Sequence, residues 1–420
     1  MGLLAVLGLL VPLGPQVATA APDAVPSSFV IKGSGYGHGV GMSQYGAYEM
    51  ARQGKGSGAI LRHYYRGASV TERRTGRMIN VQVYGPDPGP SPSYGDSDDT
   101  TTIQVRDGRW QVRANYRTIL SGGPGTLRVR VSGDKVAVSA GGRTVKRDQL
   151  SLRWAGTHEF RPRADPATVE VRGAHGTYRH GRLLLRSSQG VPNIVNRLRL
   201  NSEYLYGIAE MPASWGLGGG QQALRAQAIV ARSYAQLKVR GWQAECGCHV
   251  VDDVRDQQFS GWRHESGYAG GSWRRAVDAT RSSLTRARVL THDGRIVAAH
   301  YFSSSGGRTA NSEDVWLSRV PYERSVADPY SAAAPGNGYA SWDRHLTQDA
   351  AQKLFGLRRV ESIKVSDRYR SGQAAVLIAT APSGRTATVR GSADDIRREV
   401  GQRTREGNVP SSWIERIRPS

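Results

Sequence analysis

Cysteine is nearly absent from this chain: only Cys246 and Cys248 occur in 420 residues, within Cys246-Gly247-Cys248-His249. Two thiols that close form a tight disulfide after export, supply part of a metal site with Asp252, Asp253 or His264, or stay free; the spacing leaves all three open. Acidic side chains are also scarce, 35 against 57 Lys plus Arg, for a net charge of +22. Beyond the first twenty residues no apolar run reaches the length of a membrane-spanning helix, so the mature chain is not expected to cross a bilayer. Nucleotide signatures are missing too. The glycines of residues 33–41 are not followed by Gly-Lys-Ser/Thr, and no βαβ unit with a later acid accompanies them. No zinc finger, RNP signature or basic-helix pattern points to nucleic acid. Ser304 lacks a Gly-x-Ser-x-Gly elbow, which excludes the serine-hydrolase reading.

What is present begins with residues 3–11, a short apolar run, and Ala18-Thr19-Ala20, a small-residue cleavage site. Residues 1–20 therefore read as a secretory signal peptide, although no Lys or Arg precedes the run. The expected location is secreted or cell-wall associated. Residues 1–22 carry no charged side chain, so the positive charge survives cleavage. Such a field draws anionic polymers, which outside the cell are wall carboxylates and phosphates. The arginine bias also fits a GC-rich genome and needs no function.

Along the chain, residues 29–32 read as a strand, and residues 33–41 place glycine at every second position. Glycine in that pattern lets a ligand or another backbone come close. Residues 42–53 and 59–65 read as helices ending at Gly54 and Gly67. From about 81 to 195 short alternating strands take over, with a hairpin around Gly133-Asp134, and the polar tract 86–102 reads as a mobile loop. Residues 221–239 form an alanine-rich helix, and residues 296–303 a buried strand. The C-terminal part alternates again and closes with a helix near 393–400. Strands and helices mix without a βαβ rhythm, so the class is α+β: a mixed core with a substrate cleft plus a β-rich insert. The expected parts are a signal at 1–20, a Gly-rich segment at 28–70 and a β-rich region at 75–195, then a catalytic core at 196–345 and an α/β segment at 346–420.

The most informative stretch is Glu203-Tyr-Leu-Tyr-Gly-Ile-Ala-Glu210-Met-Pro-Ala-Ser-Trp215. It places Glu210 at a chain break before a proline, beside Tyr204, Tyr206 and Trp215. Aromatic faces stack on sugar rings, and apolar surroundings lift a carboxyl pKa, so the pattern suits a general acid for sugar chemistry. The plainer alternative is a helix-end acid near the dipole, with Trp215 in the core.

The run 203–235 resembles the SpoIID/LytB family of peptidoglycan-acting proteins. So do Gly37-His-Gly-Val-Gly-Met-Ser-Gln-Tyr-Gly-Ala47, Asp278-Ala-Thr, His300-Tyr-Phe-Ser-Ser-Ser-Gly-Gly-Arg-Thr and Glu313-Asp-Val-Trp316. The resemblance implies lytic transglycosylase activity on peptidoglycan glycan strands, especially strands lacking stem peptides, with Glu210 as the catalytic acid. That role implies a Glu210 pKa lifted toward about 6 by desolvation. His38, Ser43 and Gln44 either contact the sugar chain or only order their loop. Arg232 either orients substrate or forms an internal salt bridge. Tyr301, Ser303 and Ser304 are candidate muramyl contacts; Tyr301 and Ser303 share a strand face that Ser304 does not. Trp215 is a sugar-stacking candidate, and Trp316 is either core or platform.

Two departures stand out. In many family members the Gly-His-Gly-x-Gly-Met-Ser-Gln motif lies after the Val-Trp segment, whereas here it comes first; a retained fold requires residues 29–70 to pack on the core with His38 facing Glu210. Some members carry a Cys/His metal set where this chain has Val251, Arg255 and Asp256, so zinc does not carry over and neither metal nor cofactor is expected. A cell-wall amidase partner and a non-catalytic wall-binding role remain alternatives that the resemblance allows.

Overall fold

The computed structural model describes residues 25–76, 78–88, 98–316 and 318–420. The signal at 1–20 and most of the tract at 86–102 fall outside those residues. Period-two alternation builds the β-rich part: Leu127 and Val129 are fully buried while Arg128 and Arg130 are exposed. The strands Gly125–Ser132 and Lys135–Ala140 pair antiparallel with Ser132 opposite Lys135, which leaves Gly133-Asp134 as a two-residue turn. They belong to a six-stranded sheet that packs against a seven-stranded one, and Ile103, Val129 and Val138 share one core with Leu150, Leu152 and Leu183. The seven-stranded sheet is antiparallel except at one edge, where Val250–Val251 runs parallel to Met78–Tyr84. That short edge strand aims the following loop, residues 252–258, at the candidate site.

Helix Gln221–Lys238 is the central helix of the mixed part. Its alanines (Ala223, Ala226, Ala228, Ala231 and Ala235) are all fully buried. Small side chains let the helices Gln44–Arg52, Ser57–Tyr64 and Gly270–Asp278 and the strand Arg286–His292 come close around it. Leu224, Ile229 and Val230 add buried apolar area worth about 1.5–3 kcal/mol each. Helices and sheets are thus mixed in one α+β architecture.

The chain's first described strand, Ser28–Gly33, lies between Trp342–Thr347 and Ile414–Pro419, antiparallel to both. Phe29 and Ile31 enter a second, smaller core with Trp342, Leu346, Leu377 and Ile396, where helix Ala393–Gly401 packs. From there the Gly-rich segment crosses to the mixed part. Met42–Ser43 pairs in parallel with Tyr301–Phe302.

The expected strand at 296–303 is interrupted. Only Arg295–Ile296 and Tyr301–Phe302 are extended partners in a sheet. The backbone of His300 is drawn elsewhere: its N–H donates to the Glu323 carboxylate at 3.0 Å, and its carbonyl accepts from Met42 N–H and the Tyr65 hydroxyl. Glycine spacing in the N-terminal motif serves this approach of backbone to backbone. At Gly41, φ is +79° and a Cβ would stand 2.0 Å from the His300 carbonyl oxygen. Gly54 has a similar φ of +82° but open space around it.

Gly41→Ala is therefore expected to cost about 3 kcal/mol or more, backbone strain plus overpacking. Gly54→Ala is expected to cost about 1 kcal/mol, the backbone part alone. Urea unfolding of both variants checks the difference; equal losses would refute the close-approach account.

Candidate active site

Proline at 212 disfavours helix at Met211, so the chain turns at Glu210 between the helical turn that ends near Tyr206 and the 3-10 turn Ala213–Gly216. The bend is held by the loop from the edge strand. Ile208 bridges Phe259, Ala209 N–H donates to the Gln258 carbonyl at 2.8 Å, and Gln258 N–H donates to Glu210 Oε1 at 2.5 Å. On the other side, Gln44 Nε2 donates to the Glu210 carbonyl at 3.0 Å. Glu210 opens into a cavity of about 340 Å³ lined also by His38, Tyr234, Asp256, His300, Tyr301 and Trp316. Burial pushes its carboxyl pKa up, against the opposing hydrogen bonds from Gln258 N–H and the Tyr301 hydroxyl. The carboxyl thus favours its protonated form more than a free glutamate does.

Around it stands a fixed polar frame. Tyr301 Oη accepts from Gln257 Nε2 at 3.0 Å, and Tyr204 donates to Gln257 Oε1 at 2.9 Å. Burial and the neighbouring Glu210 hold the Tyr301 phenol well above its usual pKa, so it acts as a neutral donor. Asp256 is committed to Tyr234 Oη at 2.7 Å, Val251 N–H at 2.9 Å and Lys238 Nζ at 2.6 Å. It is a wall of the cavity more than a second reactive carboxylate.

His38 reaches the same cavity from the Gly-rich segment. Its Nδ1 accepts from Val40 N–H at 3.0 Å, which assigns the proton to Nε2, facing the Tyr301 carbonyl at 3.1 Å. Burial, with His300 nearby, lowers its pKa to about 3. It is a neutral ring with both nitrogens committed to backbone.

The other candidates are placed as follows. Ser43 is fully buried and caps helix Gln44–Arg52 by accepting from Gly46 N–H. Gln44 is buried between Glu210 and Gln227. Ser304 is buried among Ser331 and Asn337, and Ser303 lies beyond the end of the Tyr301–Phe302 strand, its carbonyl bonded to Tyr45 N–H. Trp215 stacks on Tyr48 with centroids 4.5 Å apart and does not line the cavity. Tyr204 and Tyr206 are buried, Tyr206 bonded to Asp278 at 2.6 Å, so the aromatic rings that border Glu210 are Tyr234, Tyr301 and Trp316 instead. Arg232 is fully buried and away from the cavity. It donates to Asn201 Oδ1, Thr280 Oγ1 and the Arg288 carbonyl at 3.0–3.1 Å, all neutral oxygens, and has no salt bridge among the described residues. Burial lowers its pKa to about 9, so it remains a cation near neutral pH.

One contributor to the cavity, His300, is not among the candidate site residues of the sequence, and Trp316 stands there between core and platform. His300 Nδ1 contacts the fully buried Glu323 carboxylate at 2.8 Å, which leaves Nε2 to address the cavity. Trp316, 38% exposed, lies against both His38 and His300 with centroids 4.8 and 4.7 Å away. Its exposure favours the platform over the core. Glu323 carried no sequence signal, because its partner lies across a loop. Cys246 and Cys248 are joined in a disulfide. Among the described residues no group of three or more His, Cys, Asp or Glu could hold a metal ion, and no helix is long and apolar enough to cross a membrane.

Residues 188–287 match the family described as SpoIID, Stage II sporulation protein. The Amidase enhancer of Bacillus subtilis (strain 168) is 35% identical over 123 residues, 29% of this chain and 14% of that protein. Stage II sporulation protein D of the same organism is 32% identical over 142 residues, 32% of this chain and 40% of its own. Stage II sporulation protein D of Bacillus amyloliquefaciens is 27% identical over 178 residues, 40% of this chain and 49% of its own. The chain thus spans less than half the length of each of these relatives. No solved structure matches.

Arg232→Met leaves three buried acceptors without their donor and is expected to cost about 2–4 kcal/mol of stability. Denaturant unfolding reads this directly. Unchanged stability would mean that the guanidinium is not the internal tie described.

Proposed function

Because the chain belongs to the SpoIID family through residues 188–287, we propose that it is an exported lytic transglycosylase. Its substrate is the peptidoglycan glycan strand, foremost strands without stem peptides, and its product is an anhydromuramyl end. The observation that carries this reading is Glu210: a carboxyl with a raised pKa, fixed by Gln258 N–H in a cavity edged by Trp316. Protonated Glu210 gives its proton to the glycosidic oxygen as the bond to the muramyl anomeric carbon breaks, and the bonding pair leaves with the N-acetylglucosamine oxygen. The muramyl 6-hydroxyl then attacks the anomeric carbon and passes its proton to the Glu210 carboxylate, which restores the acid. Water takes no part, so no second carboxylate at a set distance is needed. The commitment of Asp256 to three donors agrees with a single-acid scheme. Tyr301 positions the Glu210 carboxyl, His38 ties the Gly-rich segment to the Tyr301 backbone, and Trp316 offers a face for a sugar ring. Ser43, Gln44 and Ser304 act from behind the cavity wall and Arg232 from within the fold, while half-buried Ser303 and Trp215 stand outside the cavity lining. Anionic wall polymers are attracted by the net charge of +22. A second reading, a non-catalytic wall-binding protein that stimulates an amidase, is favoured by the similarity to a protein named Amidase enhancer.

Digestion of purified glycan strands followed by mass spectrometry separates these readings. Wild type is expected to leave anhydromuramyl ends, and Glu210→Gln to lose about 10²–10⁴-fold in rate, the usual worth of a general acid–base. Reducing ends would indicate a hydrolase; retained pelleting on wall with no cleavage would indicate the binder.

Stability gives an independent check. The native Glu210 pKa is raised above its unfolded value, so the native state holds the proton more tightly. Its contribution is full below the unfolded pKa and is lost as pH rises through the native one. Glu210→Gln lacks that loss, and is expected to be at least as stable as wild type at neutral pH, the difference narrowing below about pH 4. A sharp fall in its unfolding midpoint at pH 7 would make Glu210 a structural acid.

Tyr301→Phe removes a donor that favours the Glu210 carboxylate. The alkaline limb of kcat/KM is expected to move to higher pH as the rate drops, and a limb that stays in place would separate Tyr301 from the acid.

A further inference from the structure

A groove adjoining the Glu210 cavity has no role in the chemistry above. It encloses about 470 Å³ against about 340 Å³ for the cavity itself, and the two share Arg255 and Asp256 as a common wall. On its rim stands Trp242, 58% exposed, just past the end of helix Gln221–Lys238. An indole so placed contributes little to the core and keeps a broad apolar face toward solvent.

The loop that carries Trp242 is held in place. Cys246 and Cys248 are covalently joined, and Gln243 closes the turn by donating N–H to the Cys248 carbonyl at 3.0 Å and Nε2 to the His249 carbonyl at 3.2 Å. His249 is pinned to the seven-stranded sheet through Asn80, whose N–H donates to His249 Nδ1 at 2.9 Å, while His249 N–H donates back to the Asn80 carbonyl at 2.9 Å. The Trp242 ring stands edge-on to this anchored imidazole with centroids 5.2 Å apart. A flat apolar surface is thereby presented without the entropy cost of ordering a loose loop.

Charge is balanced within the groove. Lys238 pairs with Asp256 at 2.6 Å, and Arg255 pairs with Asp253 at 2.6 Å and also with Asp87. Neither cation stands without a carboxylate, so the groove is not a polyanion track. Its chemistry, an aromatic face among hydrogen-bonding side chains, fits the C–H faces and hydroxyls of sugar rings.

We propose that this groove is a second glycan subsite, in which Trp242 stacks on sugar rings of the strand whose cleaved bond lies at Glu210. The proposal rests on the glycan-strand reading above and extends it: the protein grips several sugars to one side of the cleaved bond, and long strands bind better than short ones. The Cys246–Cys248 loop is then a fixed support for that grip.

The test is equilibrium binding of peptide-free glycan, as a tetrasaccharide and as long strands, to Glu210→Gln protein with and without Trp242→Ala or Trp242→Phe. Trp242→Ala is expected to weaken long-strand binding about tenfold and tetrasaccharide binding less than about twofold, with Trp242→Phe in between. Because stacking is not screened, the same factor is expected at low and high salt. Equal long-strand binding with and without Trp242 overturns the subsite, as does a loss that vanishes in high salt. Failure of every variant and of wild type to bind any strand overturns the glycan reading itself. Binding that depends on Trp242 in a wild type that cleaves nothing upholds the subsite while removing catalysis from Glu210.

Discussion

The contact on which the site depends is the approach of the Gly41 backbone to the His300 carbonyl. It brings Met42–Ser43 alongside Tyr301–Phe302, and so sets the Gly-rich segment and the 300–302 segment in one register. From that register follow the positions of His38 over the Tyr301 carbonyl and of Tyr301 near Glu210. Gln44 closes the arrangement from the other side by holding the Glu210 carbonyl. A segment distant in sequence thus shares the cavity with the acid through backbone fit, with no charge pair between them.

Much of this was legible in the residues. The alternation around Gly133-Asp134, the alanine-rich helix and the mixed α+β class follow from local periodicity, which survives folding because each pattern faces one core. Glu210 was legible as an acid at a chain break. The aromatic residues nearest to it in sequence were a poorer guide: Tyr204 and Tyr206 turn into the fold and half-buried Trp215 stacks on Tyr48, while Tyr234, Tyr301 and Trp316 come from other elements. Ser43 and Arg232 carry polar groups that satisfy buried partners, a duty that a linear motif does not distinguish from substrate contact. Glu323 was invisible because its meaning lies in His300, across a loop. The broken strand at 296–303 has the same origin, since periodicity does not report where a carbonyl is claimed by a distant hydroxyl.

Charge within the site is arranged differently from charge on the whole molecule. The net excess of +22 includes exposed arginines such as Arg128 and Arg130 on the outer sheet, yet around Glu210 the cations are matched by carboxylates and His38 is neutral. Such neutrality favours the protonated carboxyl, because an unpaired cation nearby would favour the carboxylate. Long-range attraction and local proton affinity are therefore assigned to different surfaces of one protein.

The strand Ser28–Gly33 has both its neighbours, Trp342–Thr347 and Ile414–Pro419, at the other end of the sequence. Pairings of such high sequence separation close late in folding, because the loop entropy is paid before the contact rewards it. The strand that leads into the His38 segment therefore has no sheet until residues 342–347 and 414–419 close on it. Seating of the Gly-rich wall of the cavity is thereby coupled to pairings far away in sequence, whereas Glu210 is placed by neighbours within residues 207–259. The topology acts as a latch, holding the Gly-rich wall only once both flanking strands have closed.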